Sequence, residues 1–413
     1  MTRYRIACCA ALTLLGALAL TSSCAQTEEG PLTEERIAAV ENGLIEIGSP
    51  VALFDAAHVH ADSAETFVLA DRMAELKVPG VTVAVIDDGE LAWAKGYGVL
   101  SADGDTPVTT ESLFEAASTS KFLTGAMALH YVEQGVFDLD TDVNEYLTSW
   151  KVPETEFTVD QKVTLRLLLT HRAGLPTTNF ADVGPDEGQT LADILTGGPD
   201  MGNEPATPVR PLGETWEYSN LGCIMIQLMF EDTFGRPFPE LAREVIFDPL
   251  GMDSSTFQYP LPPELAARET MPHDGEGTAC APLMDYVAFG HAGLMTTASD
   301  MARFYIELMR SYNGQSDTLL SMEMTRRMFT KQFAIDPSPI GAPVSEGLGV
   351  FLRGEGEGLM FFHHGGNTPG ANSLPVGLPN VGQGAIIMTN GHNGELLFME
   401  LLASIMREYD WPL

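Results

Sequence analysis

The stretch Phe114-Glu115-Ala116-Ala117-Ser118-Thr119-Ser120-Lys121-Phe122-Leu123-Thr124-Gly125-Ala126-Met127-Ala128-Leu129 leads, through His130-Tyr131-Val132-Glu133-Gln134, to Gly135. From Thr119 to Gln134 it is apolar on nearly every face, and it stops at a glycine, a usual helix C-terminal signal. This predicts a helix buried all round, at the centre of the fold. Upstream, Val81 to Ile86 and Leu91 to Val99 read as two strands around the turn Asp87-Asp88-Gly89-Glu90, after a helical stretch near Ala64 to Leu76 and a break at Val78-Pro79-Gly80. Downstream, residues 138–282 read as helical segments separated by long Gly/Pro-rich loops, notably His171 to Thr215. Strand signals return at Leu348–Leu352, Met360–His363, Ser373–Val376 and Ala385–Thr389, and Leu396–Met406 closes as a helix. The expected class is α+β: an antiparallel sheet flanked by helices, built from both chain ends, with an inserted all-helical domain.

The chain has 413 residues, 45% of them apolar, enough for a sizeable core and for more than one domain's worth of material. The expected division is a signal peptide over 1–25, an N-terminal segment over 26–63 and a catalytic unit over 64–413 with its helical insertion at about 138–282. Arg3 and Arg5 precede an apolar run from Ile6 to Leu20, too short to span a bilayer comfortably and fitting a signal h-region. Thr21-Ser22-Ser23-Cys24 resembles a bacterial lipoprotein cleavage box with Thr where Leu is preferred. Lipidation of Cys24 and ordinary cleavage near Ala25 both stay open. The expected location is exported: periplasmic, or membrane-anchored as a bacterial lipoprotein. With Cys8 and Cys9 in the signal, Cys223 and Cys280 remain in the body and read as buried free thiols.

Fifty-seven acidic against 22 basic residues give a net charge of −35. No window holds a basic patch, so nucleic-acid binding is set aside. The acidity is a statement about solubility or a saline habitat rather than about cation binding.

Chemistry is most plausible where Ser118-Thr119-Ser120-Lys121 opens the buried helix. In a first helical turn, positions i and i+3 share a face, so Ser118 Oγ and Lys121 Nζ can approach. The helix dipole and the apolar surroundings both disfavour the ammonium form, which lowers the lysine pKa and lets it act as a base toward a hydroxyl. Alone the motif is weak, expected roughly 0.3 times by chance in such a chain. A lysine whose stem is buried and whose head reaches water is the bland alternative. Tyr218-Ser219-Asn220 comes about 100 residues later, before an apolar helix. The phenol can relay a proton and the carboxamide can hold a substrate carbonyl, although Ser219 or Asn220 is also a natural N-cap. The third piece, Phe361-Phe362-His363-His364-Gly365-Gly366-Asn367-Thr368-Pro369-Gly370, reads as a strand ending in glycines along whose edge a substrate backbone can lie. The first two motifs, in order and in suitable contexts, multiply to a chance below about 0.1 before the third is counted.

Together these three boxes resemble those of the serine β-lactamase-related hydrolases, the group holding class C β-lactamases, D-alanyl-D-alanine peptidases and family VIII carboxylesterases. Leu168-Leu169-Thr170-His171-Arg172-Ala173-Gly174-Leu175-Pro176, Pro249-Leu250-Gly251-Met252, Ala292-Gly293-Leu294 and Asp300-Met301-Ala302-Arg303-Phe304 are similar to that family too, and the resemblance spans about Pro79 to Met406. It implies a β-lactamase/transpeptidase-like fold, acylation of Ser118, and proton transfers shared by Lys121 and Tyr218. It also implies an oxyanion hole from the backbone N–H groups of Ser118 and Asn367, and substrate contacts from Asn220, His364, Gly366 and Asn367. The departure lies in the third box, where His364-Gly365-Gly366 stands in place of the usual Lys-Thr-Gly. A permanent cation is replaced by an imidazole mostly neutral at pH 7. The Gly-aromatic pair that usually follows is Gly370-Ala371 here.

Two rival sites are weaker. His58-Val59-His60-Ala61-Asp62 begins like a metallo-hydrolase box but lacks its closing histidine. Asp138, Asp140 and Asp142 mimic an EF-hand opening, yet Val143 and Ser149 occupy the required glycine and glutamate positions, so a turn and helix start is expected. The expectation is an exported serine hydrolase acting through an acyl-enzyme on an ester, amide or D-amino-acid peptide, without cofactor or metal. Esterase or peptidase is preferred, with β-lactamase or penicillin-binding D-alanyl-D-alanine carboxypeptidase as the alternative. A non-catalytic lipid-tethered binding protein of the same fold is the alternative of another class. The expected partner is a small-molecule or peptide substrate, with membrane attachment through Cys24 left open, as is the oligomeric state. Specificity is expected from the loops His171 to Thr215 and Lys331 to Glu346.

Overall fold

A hairpin and its late-sequence partners organise the molecule. The computed structural model describes residues 33–48, 56–61, 65–177, 189–198, 203–282, 287–335, 344–354 and 361–412. The stretch expected as a signal peptide, Cys24, Asp62 and parts of the two expected specificity loops lie outside the described residues. Helix α1 spans Thr33–Asn42 and α2 Leu69–Leu76, followed by strands β1 (Gly80–Asp87) and β2 (Glu90–Gly98). The buried helix α3 is Ser120–Glu133, α4 is Asn220–Phe234 and α5 is Ala298–Tyr312. Then come β3 (Phe333–Ile335), β4 (Val344–Glu346), β5 (Phe351–Arg353), β6 (Phe361–His363), β7 (Gly366–Thr368), β8 (Ala371–Leu378) and β9 (Gln383–Thr389). Helix α6 (Gly394–Glu408) follows the last strand.

The strands form one antiparallel sheet in the order β2-β1-β9-β8-β6-β5-β4-β3, with β7 beside β8. β1 pairs with the late strand β9 through Val81↔Thr389 to Ile86↔Gly384, so the sheet joins both chain ends as the sequence implies. Alternation along β1 serves two cores. Val81, Val83 and Val85 pack with Leu397, Leu401 and Ile405 of α6, while Ala84 and Ile86 join Phe122 of α3 and Phe304 of α5 on the other face. Covered on both sides, β1 is apolar on both faces from Val81 to Ile86 except at the buried Thr82. Between 138 and 282 the described residues form helices, turns and isolated bridges.

Phe122 fixes the head of α3 on the sheet. Its ring meets Phe304 (5.2 Å), Tyr305 (5.6 Å) and Phe362 of β6 (6.0 Å) edge-on, a favoured aromatic geometry. Gly125 lies against Gly349, where a Cβ would come 3.5 Å from the Gly349 Cα, so α3 also abuts the turn before β5.

Several boundaries differ from expectation. The helix expected from Ala64 begins only at Leu69, because Thr66–Phe67 pairs with Leu44–Ile45. Leu348–Leu352 shortens to Phe351–Arg353, since Gly349 turns with φ 77° and donates its N–H to Leu169 O. β3 and β4 extend the sheet where a loop was expected. Cys223 and Cys280 are free thiols, the first buried and the second only half-buried. Asp138 caps a turn by accepting the N–H groups of Asp140 and Thr141, and Asp142 accepts that of Asn144 at a short 3₁₀ helix, in keeping with a turn and helix start.

Candidate active site

The site begins with a strained turn. Ala117 has φ 48°, left-handed for a residue with a Cβ, at a cost of about 1–2 kcal/mol. Hydroxyls hold it in place. Ser120 Oγ donates to Ala117 O (2.6 Å) and accepts the Leu294 N–H (3.0 Å). Ser373 Oγ of β8 donates to Ala116 O (2.9 Å), and Thr119 Oγ1 donates to His364 O (2.9 Å). The two residues between Ser118 and Lys121 thus tie the turn to itself and to the sheet, leaving Ser118 half-buried at the mouth of a cleft.

Lys121 is 2% exposed, so its head does not reach water. Its Nζ donates to Ser118 Oγ (3.0 Å) and to His291 O (2.8 Å), and lies 5.0 Å from the Tyr218 ring centroid. Burial draws its pKa down to about 8. Burial also pushes the neighbouring Cys223 thiol up to about 11 and Tyr218 well above its ordinary range. The Tyr218 side chain hydrogen-bonds that of Ser118, so amine and phenol both converge on the serine oxygen.

Tyr218 is held by groups the sequence did not assign. His171, left-handed at φ 51° after a short helix, lays its ring 4.5 Å from that of Tyr218 and accepts the Ser219 N–H at Nδ1 (3.3 Å). Burial holds it down to about 3, so it is a neutral prop. Trp216, 6.3 Å from Tyr218 between centroids, donates its indole N–H to Glu346 Oε2 (3.1 Å). Glu346 is fully buried on β4, and burial pushes its carboxyl well above the usual range, so it is a neutral acid. His171 lay in a stretch already singled out for its resemblance. Glu346 had no sequence signal, because its stretch read as loop.

Asn220 opens α4 and lines the cleft. Ser219 is the N-cap residue but makes no side-chain cap; its Oγ donates to Pro176 O instead (3.0 Å). His364 is 2% exposed with its ring 5.0 Å from that of Phe351, and burial keeps its pKa well below the ordinary value. Gly366 presses on the Ala116–Ser118 turn, where a Cβ would fall 2.1 Å from Ala116 O. Asn367 follows on β7, its amide donating to Asn372 Oδ1. β7 has β8 on one side and, among the described residues, no strand on the other. Ser118, Tyr218, Asn220, His364, Gly366 and Asn367 therefore line one cleft of about 620 Å³, with Lys121 directly behind Ser118. Among the described residues no group of His, Cys, Asp or Glu is placed to hold a metal ion; His58 Nε2 meets Glu46 O at 2.8 Å.

A sequence profile described as Beta-lactamase matches residues 68–403. The chain belongs to the β-lactamase family. As a member of it, the protein is a serine hydrolase. It is similar to penicillin-binding protein 4 of Amycolatopsis lactamdurans, 28% identical over 343 residues, or 81% of this chain and 86% of the relative. A putative D-alanyl-D-alanine carboxypeptidase of Escherichia coli O157:H7 is 27% identical over 61% of this chain and 64% of its own. Unguisins hydrolase ungD' of Aspergillus campestris is 34% identical over 43% of this chain, a third (33%) of that protein. The octameric penicillin-binding protein homologue from Pyrococcus abyssi superposes with a TM-score of 0.69 at 24% identity, covering 81% of this chain and 74% of that one. D-alanine carboxypeptidase AmpC from Burkholderia cenocepacia gives 0.63 at 20%, covering 81% and 96%. At these identities the structural matches establish the β-lactamase/transpeptidase fold.

Proposed function

We propose that this β-lactamase-family protein is an exported hydrolase that acylates Ser118 and then releases the acyl group to water, acting on an ester, amide or D-amino-acid peptide. The observation that carries the reading is the buried Lys121 amine, 3.0 Å from Ser118 Oγ with its pKa drawn down to about 8. In the neutral form it takes the hydroxyl proton as Oγ attacks the scissile carbonyl. Tyr218, a neutral phenol beside both, passes a proton to the departing alcohol or amine, and the proton taken up by Lys121 restores the phenol. The backbone N–H groups of Ser118 and Asn367 receive the oxyanion. Asn220, His364 and the bare Gly366 edge contact the substrate. In deacylation the same groups run in reverse, with water in place of the leaving group. No cofactor enters these steps.

Esterase or peptidase is preferred over β-lactamase, because a neutral His364 stands where the lactamases of the family carry a lysine. The names of the relatives support the second reading, a penicillin-binding D-alanyl-D-alanine carboxypeptidase. A fluorophosphonate and a penicillin-type probe test the core of the proposal, with the adduct located by mass spectrometry. An adduct on Ser118 that disappears in Ser118→Ala is the expected result. No adduct with either probe, or undiminished turnover in Ser118→Ala, defeats it.

The N-terminal segment supports export. The Thr21-Ser22-Ser23-Cys24 box after the apolar run supports a lipid on Cys24 as the proposed tether. Fatty-acid labelling lost in Cys24→Ser is the expected outcome; an unlabelled mature chain beginning near Ala25 replaces the tether with simple secretion.

A further inference from the structure

The cleft does not end at Ser118. β6 and β7 are separated by His364 and Gly365, and only β6 has β5 on its outer side. Along β8, Ser373 faces the nucleophile turn, whereas Leu374 and Val376 face α6. Leu374 and Val376, with Phe398, Met399 and Leu402 of α6, line the same cleft as Ser118 and Tyr218. The cavity therefore runs from the catalytic groups past the side-chain-free Gly365-Gly366 backbone to an apolar wall on the other face of the sheet.

Its charge is as telling as its apolarity. Among the described residues that line the cleft, Glu395, exposed in the first turn of α6, is the only formally charged side chain. Burial and nearby positive charge keep His363 down to about 4, and His364 lower than its ordinary value, so neither imidazole is a cation near neutral pH. Lys121 is committed to Ser118 Oγ and His291 O. Arg353 on β5 acts electrostatically on His363 but does not line the cleft. A carboxylate entering here loses its hydration, finds no cation on the cleft wall other than the Lys121 amine already bound behind Ser118, meets Glu395 at the rim, and does so in the field of a chain of net charge −35.

We propose that the cleft takes esters or amides uncharged on both sides of the scissile bond, seats an apolar group against Leu374, Phe398 and Met399, and rejects substrates with a free carboxylate. This rests on the acyl-enzyme reading above and sharpens it. It places a carboxypeptidase role, whose leaving amino acid carries a carboxylate, below an esterase or an amidase acting on blocked peptides. Each methylene buried against that wall should raise kcat/KM about two- to fourfold until the wall is covered.

Two matched pairs and a length series test it. p-Nitrophenyl hexanoate is compared with the mono-p-nitrophenyl ester of hexanedioic acid, and the hexanoyl ester of 4-hydroxybenzamide with that of 4-hydroxybenzoate. p-Nitrophenyl acetate, butyrate, hexanoate and octanoate form the series. We expect the uncharged member of each pair to be favoured at least tenfold in kcat/KM, with the gap narrowing in high salt and in Glu395→Gln. Octanoate should exceed acetate at least tenfold. That ratio should fall in Met399→Asp and, should Met399→Asp not fold, in the half-buried Leu374→Gln. Equal or faster turnover of the carboxylate-bearing members overturns the proposal, and loss of that turnover in Arg353→Gln then assigns the anion site to β5. A flat length series overturns the apolar subsite. These failures are separable from failure of the underlying reading: a Ser118 adduct with no charge or length preference removes only the present inference, whereas no adduct and unchanged hydrolysis in Ser118→Ala removes both.

Discussion

Raising the pH from 6 to 9 should increase kcat/KM for a neutral ester about ninetyfold, and the increase should belong to Lys121. With the amine's pKa drawn down to about 8 by burial, about 1% of it is neutral at pH 6, about 9% at pH 7 and about 91% at pH 9. Only the neutral amine can take the Ser118 proton, so the rate should climb nearly tenfold per pH unit below 8 and level above it. The surrounding groups cannot produce this limb. Burial holds His171 and His291 down to about 3 and His364 lower than its ordinary value, while Cys223 is pushed up to about 11 and Tyr218 well above its usual range. The assay is initial-rate hydrolysis of an uncharged p-nitrophenyl ester at constant ionic strength, corrected for spontaneous hydrolysis, alongside the second-order rate of fluorophosphonate labelling. Both should trace the same limb. Lys121→Arg retains a cation that does not deprotonate in this range, and should lose about 10²- to 10⁴-fold together with the limb. A flat profile between pH 6 and 9, or full activity in Lys121→Arg, refutes the assignment.

Other expectations follow from the same geometry. Because the folded pKa of Lys121 lies below its unfolded value, the folded state carries a penalty of about 3 kcal/mol at pH values below 8, relieved between 8 and 10.5. Lys121→Met should therefore raise stability at pH 7 by about 1–3 kcal/mol while abolishing acylation; a lowered melting temperature contradicts this. His171 and His291 are also depressed in the fold, so the unfolded chain binds more protons below pH 6.5. Their contribution is complete above pH 6.5 and should fall by about 2 kcal/mol each by pH 5, read from urea unfolding midpoints. Glu346→Gln keeps an acceptor for Trp216 and should leave the pH profile in place. Glu346→Ala takes the acceptor from the half-buried Trp216 indole N–H and should cost about 1 kcal/mol in thermal unfolding. Gly366→Ala forces a methyl to within 2.1 Å of Ala116 O and should cut kcat/KM on the order of 10²-fold by shifting the edge strand off the nucleophile turn; near-normal kinetics would show that the strand yields cheaply.

The residues of the three boxes were legible because each carries local information. Ser118 and Lys121 share a face by helical spacing, Tyr218-Ser219-Asn220 immediately precedes an apolar helix, and the glycines after His364 mark an edge that a backbone can approach. The supporting groups carry none. His171 reaches Tyr218 through a left-handed backbone turn, and Glu346 reaches Trp216 across 130 residues of sequence. Ser373 holds the nucleophile turn from 257 residues away. Short strands such as β3 and β4 escaped for the same reason, since three residues show a period only once a neighbour supplies the pairing.

By itself, the sequence determined the family, the antiparallel sheet joining both chain ends, the central helix and the choice of side chains proposed to react. Periodicity, turn residues and spacing are properties of neighbours along the chain. Only the tertiary structure decided the state and surroundings of those side chains. Burial brings the Lys121 pKa down to about 8 and keeps His364 neutral, and the break between β6 and β7 opens the cleft toward α6. Desolvation and cavity shape are set by every element that closes over a residue, and no local stretch encodes them.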